Sequence, residues 1–122
     1  MSQHNTADPV RLSREQAVVP ITFNRPELHN AFDDRLICEL RAALDEIAAD
    51  RSIRAVQIRG AGPSFSAGAD LNWMRRMAQA SEAVNQADAF ALAQLLRRLN
   101  TLPQATIARV QGAALGGGMG IV

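Results

Sequence analysis

The sequence predicts an α/β protein in which short strands alternate with helices and pair mostly in parallel. Branched and aromatic residues cluster in short runs at residues 17–24, 53–59 and 106–110. Between these runs, apolar residues recur at spacings of three and four, which is typical of helices with one buried face. Glycine and proline mark the turns. An alternation of strands and helices favours parallel pairing, because each return to the sheet requires a crossover connection.

The first predicted strand spans residues 17–24, and it defines the start of the folded part. Residues 1–14 are predicted to be a flexible arm, and residues 15–122 are predicted to form the N-terminal part of one incomplete domain. Pro20 lacks a backbone N–H, which predicts that this strand is an edge strand or carries a bulge. Residues 24–30 are predicted to be a loop, because Pro26 disfavours helical geometry at Arg25.

The first helix is predicted from Phe32 or Asp33 to about Asp50. Its apolar residues form a stripe wide enough to cover a sheet: Leu36, Ile37, Leu40, Leu44, Ile47 and Ala48. Acidic residues at its start suit the positive end of the helix dipole. Cys38 is the single cysteine and falls within this helix, where we expect a buried, inert thiol. One cysteine excludes an internal disulfide and fits a reducing, cytoplasmic compartment.

The second half of the chain repeats the strand–turn–helix order. After the strand at 53–59, the sequence Gly-Ala-Gly-Pro at 60–63 predicts a turn. Asp70 is a candidate N-cap for a short helix, and Ser81 followed by Glu82 opens a longer one that ends before Pro103. The predicted apolar positions are Leu71, Met74 and Met77 in the short helix and Val84, Ala87, Ala91, Leu92, Leu95 and Leu99 in the long one.

Length and composition limit the classes of function. The 122 residues form at most one domain, with 48% hydrophobic and 20% charged residues. A net charge of +1 gives no reason to expect nucleic acid or a membrane surface as a partner. No apolar run approaches the ~18 residues of a membrane span. The chain stops within an apolar segment at 119–122, so we expect the truncated N-terminal portion of a larger fold.

The glycine-rich stretch at 112–120 follows the last predicted strand and invites comparison with nucleotide-binding loops. The spacing of Gly112 and Gly117 matches a P-loop, but Gly118 stands where that motif requires lysine. The dinucleotide fingerprint also fails, because its last small position falls on Ile121. Two interpretations remain open. The glycines allow tight backbone packing, or they expose backbone N–H groups that bind a negatively charged oxygen.

Few other residues suggest an acid–base, nucleophilic or metal-binding role. Asp70 is the most plausible carboxylate for acid–base work, but a residue just before a helix is more often a cap. Ser66 lies outside a G-x-S-x-G elbow and has no evident base, which argues against a nucleophilic role. His4 and His29 do not belong to any cluster with metal-ligand spacing, so no metal site is expected.

Three segments together carry a resemblance to a known family. They are residues 21–26 (ITFNRP) with 30–32 (NAF), residues 65–71 (FSAGADL) and residues 111–118 (QGAALGGG). In this order and at these separations they resemble the enoyl-CoA hydratase/isomerase (crotonase) superfamily, over residues 17–122. Residues 67–74 look most like methylglutaconyl-CoA hydratases. The resemblance implies the N-terminal portion of a crotonase-like ββα spiral.

The resemblance also implies a substrate and a site. The thioester carbonyl of an acyl-CoA would accept hydrogen bonds from the backbone N–H groups of Ala69 and Gly117, which would stabilise an enolate. The residues that it places along coenzyme A are Arg25, His29, Ser66, Ala67, Gly68, Ala69, Asp70, Leu71, Leu115, Gly116 and Gly117. Arg25 either pairs with a phosphate of coenzyme A or has a structural role. The family analogy implies no cofactor beyond the substrate's own coenzyme A, and a homotrimer or hexamer.

Two departures from the family pattern leave the activity open. Hydratases typically carry a glutamate where this chain has Gly120, and their second catalytic carboxylate would lie beyond Val122. The 122-residue chain therefore lacks an identifiable proton-transfer group. Three hypotheses follow: hydration of a 2-enoyl-CoA such as methylglutaconyl-CoA; a sister activity such as isomerase, dehalogenase or hydrolase; and a non-catalytic acyl-CoA-binding fragment.

Overall fold

The computed structural model describes residues 8–122, and these form a four-stranded mixed sheet covered by helices. The strands are β1 (Val10–Leu12), β2 (Val18–Phe23), β3 (Ala55–Gly60) and β4 (Ala105–Arg109), and they lie in that order across the sheet. β1 runs antiparallel to β2, whereas β2, β3 and β4 pair in parallel. The predicted α/β class with largely parallel pairing is confirmed.

The helices begin close to the predicted positions. They are α1 (Asp34–Ala49), α2 (Leu71–Gln79), α3 (Glu82–Thr101) and the short α4 (Gly117–Ile121), with a 3₁₀ turn at Pro26–Leu28. Each of the first three has a side-chain cap. Asp33 accepts the N–H of Leu36, Asp70 that of Trp73, and Ser81 that of Val84. These caps satisfy N–H groups that have no partner within the helix, which explains why each helix begins where it does.

The core lies between α1 and the sheet. The buried face of α1 is formed by Leu36, Ile37, Leu40, Ala43, Leu44 and Ile47. It packs in one cluster with Val19, Ile21 and Phe23 of β2 and with the inward side chains of β3. α3 packs on α1 through the buried Leu95. The sheet is thereby covered on the α1 side, and the loops that follow β3 and β4 lie at one edge of this core.

The predicted arm does not extend to residue 14. Residues 1–7 of that arm lie outside the described residues, but Val10–Leu12 form β1, with Val10 opposite Phe23. Val10 is fully buried. Three residues are too few to show an alternating pattern in the sequence. The strand forms because a long-range ladder with β2 and the burial of one side chain hold it in place.

Pro20 was expected at an edge or a bulge, and that expectation is wrong, since β2 lies between β1 and β3. β1 pairs with β2 as far as Leu12 and Ile21. One position further on, the N–H of Ser13 donates to the Pro20 carbonyl at 3.2 Å, and the reciprocal bond is the one that Pro20 cannot make. Pairing in the same register resumes at Glu15 and Val18, so the proline removes a single hydrogen bond and an interior strand tolerates it.

The expectation of a buried Cys38 is also wrong. Cys38 is exposed, because it lies on α1 away from the stripe that faces the sheet. In α2, Leu71 and Met74 are 68% and 52% exposed, whereas Trp73 is buried. The short helix therefore packs through its tryptophan, and the predicted apolar stripe lies largely on the surface. No helix within residues 8–122 is long and apolar enough to cross a membrane.

Gly112 is expected to be a position where any side chain destabilises the fold. Its φ of +60° is left-handed, and a Cβ there would collide with the backbone carbonyl of Pro63. Gly112→Ala should therefore lower the free energy of unfolding by about 2–4 kcal/mol through backbone strain and overpacking. Urea unfolding measures this. Gly120→Ala is the matched control, since a Cβ at Gly120 meets nothing within 4 Å. Equal stability of the two variants would contradict the prediction.

Candidate active site

The loop after β3 and the loop after β4 run side by side. The N–H groups of Phe65 and Ser66 both donate to the Ala113 carbonyl, at 3.0 and 3.1 Å. The N–H of Leu115 donates back to the Ser66 carbonyl at 2.9 Å. Ser66 and Ala114 thus pair as a single parallel bridge. Because β3 and β4 are parallel neighbours, the chain leaves both strands at the same edge of the sheet and brings these two loops together.

Glycines allow the loops after β3 and β4 to approach each other closely. A Cβ on Gly68 would lie 2.8 Å from the Leu115 carbonyl oxygen and 3.3 Å from the backbone nitrogen of Gly117. A Cβ on Gly118 would lie 2.7 Å from the Ser66 carbonyl oxygen. Gly68 also has a φ of +94°, which disfavours other residues. Tight packing, one of the two interpretations left open by the sequence, therefore explains Gly68 and Gly118.

The other interpretation concerns the N–H groups of Ala69 and Gly117. The Phe32 N–H donates to the carbonyl of Gly68, and the Asp70 N–H donates to the carbonyl of Phe32, each at 2.8 Å. These bonds bracket Ala69, whose own N–H has no acceptor among residues 8–122. Gly117 is the first residue of α4, and its N–H likewise has no acceptor in that part of the chain.

Two unpartnered donors are thus carried by adjacent loops. A Cβ built on Gly68, which precedes Ala69, would lie 3.3 Å from the Gly117 nitrogen, so the two loops lie close together here. Ala69 is half-buried and Gly117 is exposed, so a ligand can approach both. Such an arrangement can bind a carbonyl oxygen and stabilise it as negative charge develops. The assignment of these two N–H groups as oxyanion donors remains a prediction.

The side chains of Ser66 and Asp70 are bound to other groups of the protein, so neither is free to react. The Ser66 hydroxyl is fully buried, donates to the Asn30 carbonyl at 3.0 Å and accepts the Gly68 N–H at 3.2 Å. Asp70 caps α2 through Trp73 and pairs with Arg25 at 3.1 Å. The sequence interpretation of Asp70 as a cap is confirmed. A carboxylate held in this way is poorly placed to transfer a proton.

The pKa of Asp70 reflects these contacts. Burial, the largest single effect, raises the pKa of this carboxyl. The Trp73 N–H and the Arg25 guanidinium oppose it, and their combined effect holds the pKa below the ordinary value of 3.8. Asp70 is therefore ionised at neutral pH, and its negative charge is matched by Arg25.

The remaining predicted coenzyme A residues fall into two groups. Arg25 is engaged inside the protein, because its guanidinium contacts Asp70, Asp33 at 3.5 Å and the Ala31 carbonyl. Its structural role is therefore directly visible. His29 lies on the loop beside it, and its ring accepts from or donates to the Ser64 hydroxyl at 3.1 Å. Contact of either residue with coenzyme A stays a prediction.

The other predicted residues lie on the two paired loops or at the start of α2. Leu71, the first residue of α2, and Leu115 have apolar side chains that are 68% and 58% exposed, and Gly116 is exposed with a φ of +53°. Ala67 is held in place by donating its N–H to the His29 carbonyl at 2.9 Å. The structure thus brings the predicted set to one region. In residues 8–122 no group of three or more metal-ligating side chains occurs.

Sequence reasoning gave Asn30 no role of its own, yet this residue joins the loops behind the site. Its side-chain amide donates to the carbonyls of Ala61 and Ser64, at 2.9 and 2.8 Å, and its side-chain oxygen accepts the Arg25 N–H. Asn30 is 1% exposed and has a left-handed φ of +56°, which asparagine tolerates well. An asparagine next to a proline-containing loop gives only a weak signal for such a role in the sequence.

Comparison with known proteins identifies the family. The family model for enoyl-CoA hydratase/isomerase matches residues 13–122. The chain belongs to this family. It is 37% identical over 108 residues to a putative enoyl-CoA hydratase of Thermus thermophilus, covering 88% of this chain and 43% of that protein. It is 39% identical over 107 residues to 2,3-dehydroadipyl-CoA hydratase of Escherichia coli, covering 88% of this chain and 40% of the relative.

A solved structure extends the family assignment to the fold. A putative enoyl-CoA hydratase/isomerase (crotonase) from Legionella pneumophila superposes with a TM-score of 0.89 at 40% identity. The alignment covers 94% of this chain and 44% of that one. The crotonase-like fold expected from the sequence is therefore confirmed. The chain spans less than half the length of these relatives.

Proposed function

We propose that the protein adds water to a 2-enoyl-CoA while two backbone N–H groups hold the thioester oxygen. The observation that carries this proposal is the pair of unpartnered N–H groups of Ala69 and Gly117 on adjacent loops. When water adds to the β-carbon of an enoyl thioester, negative charge moves onto the carbonyl oxygen. Two fixed donors at that oxygen stabilise the enolate more than the neutral substrate, which is the requirement for catalysis.

We assign no proton-transfer group of this reaction to either of the two loops. Asp70 caps α2 and is ion-paired with Arg25, and Gly120 has no side chain. The family resemblance places a second carboxylate beyond Val122. The proposal therefore concerns the activity of the whole protein, in which this chain supplies the oxyanion donors and part of the coenzyme A site. Coenzyme A enters as part of the substrate, without a separate cofactor.

Methylglutaconyl-CoA is the substrate that we propose. The support is the likeness of residues 67–74, which carry Ala69, Asp70 and Trp73, to methylglutaconyl-CoA hydratases. Among the family's activities we favour hydration, because the relative from Escherichia coli is named 2,3-dehydroadipyl-CoA hydratase. By family analogy we also propose assembly into trimers or hexamers, which analytical ultracentrifugation of the full chain would measure.

The test is turnover of methylglutaconyl-CoA in water enriched in ¹⁸O, with crotonyl-CoA as the comparison substrate. We expect loss of the absorbance of the conjugated thioester and incorporation of one ¹⁸O atom into the product, read by mass spectrometry. A faster reaction with methylglutaconyl-CoA supports the proposed substrate. Absence of ¹⁸O uptake with every enoyl-CoA tested would rule out hydration.

An isomerase is the second candidate, because Gly120 replaces the glutamate that hydratases carry. A Cβ at Gly120 would meet nothing within 4 Å, so the position has room for a side chain that this protein lacks. An isomerase needs the same enolate stabilisation but moves a proton along the acyl chain. It would shift the double bond without taking up ¹⁸O. Saturable acyl-CoA binding by calorimetry, without any turnover, would favour a non-catalytic binding protein.

A further inference from the structure

Phe32 lies between the two loops that carry the oxyanion donors. It is 3% exposed, and its backbone pairs with the segment around Ala69 through Gly68 and Asp70. Its ring faces the other loop, because a Cβ on Gly117 would come within 2.5 Å of the ring atom Cζ. One residue therefore contacts the chain next to both donors.

The backbone bonds of Phe32 orient the first donor. In the parallel bridge between Phe32 and Ala69, the partners of Phe32 are the Gly68 carbonyl and the Asp70 N–H. In a strand, successive N–H groups point to opposite sides. Pairing through residues 68 and 70 therefore turns the Ala69 N–H away from Phe32 and leaves it free for a ligand.

The ring of Phe32 limits the position of the second donor. Gly117 has no side chain, so its backbone rests directly against the ring. The ring cannot withdraw easily, because it also packs against Trp73, with ring centroids 6.3 Å apart, and Trp73 is itself buried. Protein interiors are packed closely enough that a change of ring size moves the neighbouring backbone.

We propose that Phe32 is a positioning residue that sets the separation of the Ala69 and Gly117 N–H groups. Its ring acts as a spacer between the two loops, while its backbone fixes the direction of one donor. The inference rests on the proposed function, since it requires a thioester carbonyl between the donors. Hydrogen bonds weaken steeply when their length or angle departs from the optimum, so the spacer controls how strongly the carbonyl is polarised.

The first experiment uses Phe32→Leu in the full chain, with Leu44→Ala as the control. Leu44 is a fully buried residue of α1 and belongs to the face that packs on the sheet. We expect Phe32→Leu to lower kcat by on the order of 10- to 100-fold while KM changes little. Leu44→Ala should lower the melting temperature without this fall in kcat at a temperature where both proteins are folded.

Infrared spectroscopy of an acyl-CoA labelled with ¹³C at its thioester carbonyl provides the direct readout. In the wild type, the C=O stretch should shift to lower frequency on binding, because two donors polarise the bond. In Phe32→Leu this shift should be smaller, whereas Leu44→Ala should retain it. A purely structural role for Phe32 would lower stability and leave the shift unchanged, and that result would overturn the inference.

A double variant keeps the test decisive if Phe32→Leu folds poorly. Gly117→Ala alone should be destabilised by its clash with the ring, and Phe32→Ala should relieve that clash. The double variant Phe32→Ala/Gly117→Ala should then be more stable than the sum of the two single effects predicts. Additive effects would show that the ring does not restrain Gly117, which contradicts the inference.

The outcomes separate this inference from the proposed function. If the wild type shows no saturable acyl-CoA binding, the proposed function fails, and the positioning role fails with it. If the wild type binds and polarises the carbonyl but Phe32→Leu does so equally well, only the inference about Phe32 is overturned.

Discussion

Replacing Ala69 by lactate is expected to lower kcat for the enoyl-CoA substrate by about 10²–10³-fold. This substitution converts the amide between Gly68 and Ala69 into an ester, so it removes one N–H and keeps the methyl side chain. The N–H that is lost has no acceptor among residues 8–122, so no intrachain bond is broken directly. KM should change little, because the donor acts mainly on the charge that develops in the transition state. Steady-state kinetics on semisynthetic protein measures both constants.

The control for Ala69→lactate is the same change at Ala105. Ala105 begins β4 and donates its N–H to the Arg54 carbonyl at 3.2 Å, so it lies at the opposite end of the strand from the loop that contains Gly117. Its ester should lower stability by about 1 kcal/mol, the usual net value of one hydrogen bond, and leave kcat unchanged. If the folded Ala69 ester has an unaltered kcat, this N–H does not contribute to catalysis.

Local patterns in the sequence predicted most of the helices and strands. Helical spacing of apolar residues predicted α1, and the start signals Asp70 and Ser81 predicted where α2 and α3 begin. These signals are short-range, so they can be read without the tertiary structure. The same local patterns predicted a buried Cys38, because periodicity identifies an apolar residue but not which face of a helix finds a partner.

The site depends on contacts that local patterns do not encode. Phe32 pairs with residues 36 to 38 positions away along the chain, and Asn30 bonds to carbonyls 31 and 34 positions away. The glycines alone allowed both tight packing and anion binding. Only the family resemblance singled out Ala69 and Gly117, and the structure adds the physical reason why their loops meet: β3 and β4 are parallel neighbours.

Arg25→Met is expected to lower the free energy of unfolding by about 3–5 kcal/mol at neutral pH. The guanidinium of Arg25 lies between the caps of two helices, 3.1 Å from Asp70 and 3.5 Å from Asp33, and its side chain is 16% exposed. Removing it leaves the buried carboxylate of Asp70 and the partly buried carboxylate of Asp33 without their cation, and methionine fills most of the space. Because Asp70 directly follows Ala69, the loosened loop should also weaken acyl-CoA binding. Urea unfolding measures the stability.

The effect of Arg25→Met should shrink in acid. Burial raises the pKa of Asp70, but the Trp73 N–H and Arg25 hold it below its usual value, so the carboxylate stabilises the fold above the ordinary pKa of 3.8 that it has in the unfolded chain. That stabilisation is lost as the pH falls through the lower folded pKa, because a protonated Asp70 no longer needs a cation. The difference between wild type and Arg25→Met should therefore be largest at neutral pH and smallest at pH values below the lowered folded pKa of Asp70.

Arg76→Met provides the matched control, because Arg76 pairs with Asp34 at 3.2 Å on the surface, where the two side chains are 60% and 51% exposed. Water screens this pair, so its loss should cost about 0–1 kcal/mol. Comparing the loss of stability from the same substitution at the two sites thus distinguishes the contribution of a buried ion pair from that of an exposed one. If both variants lose equally little stability, Arg25 does not hold the helix caps together.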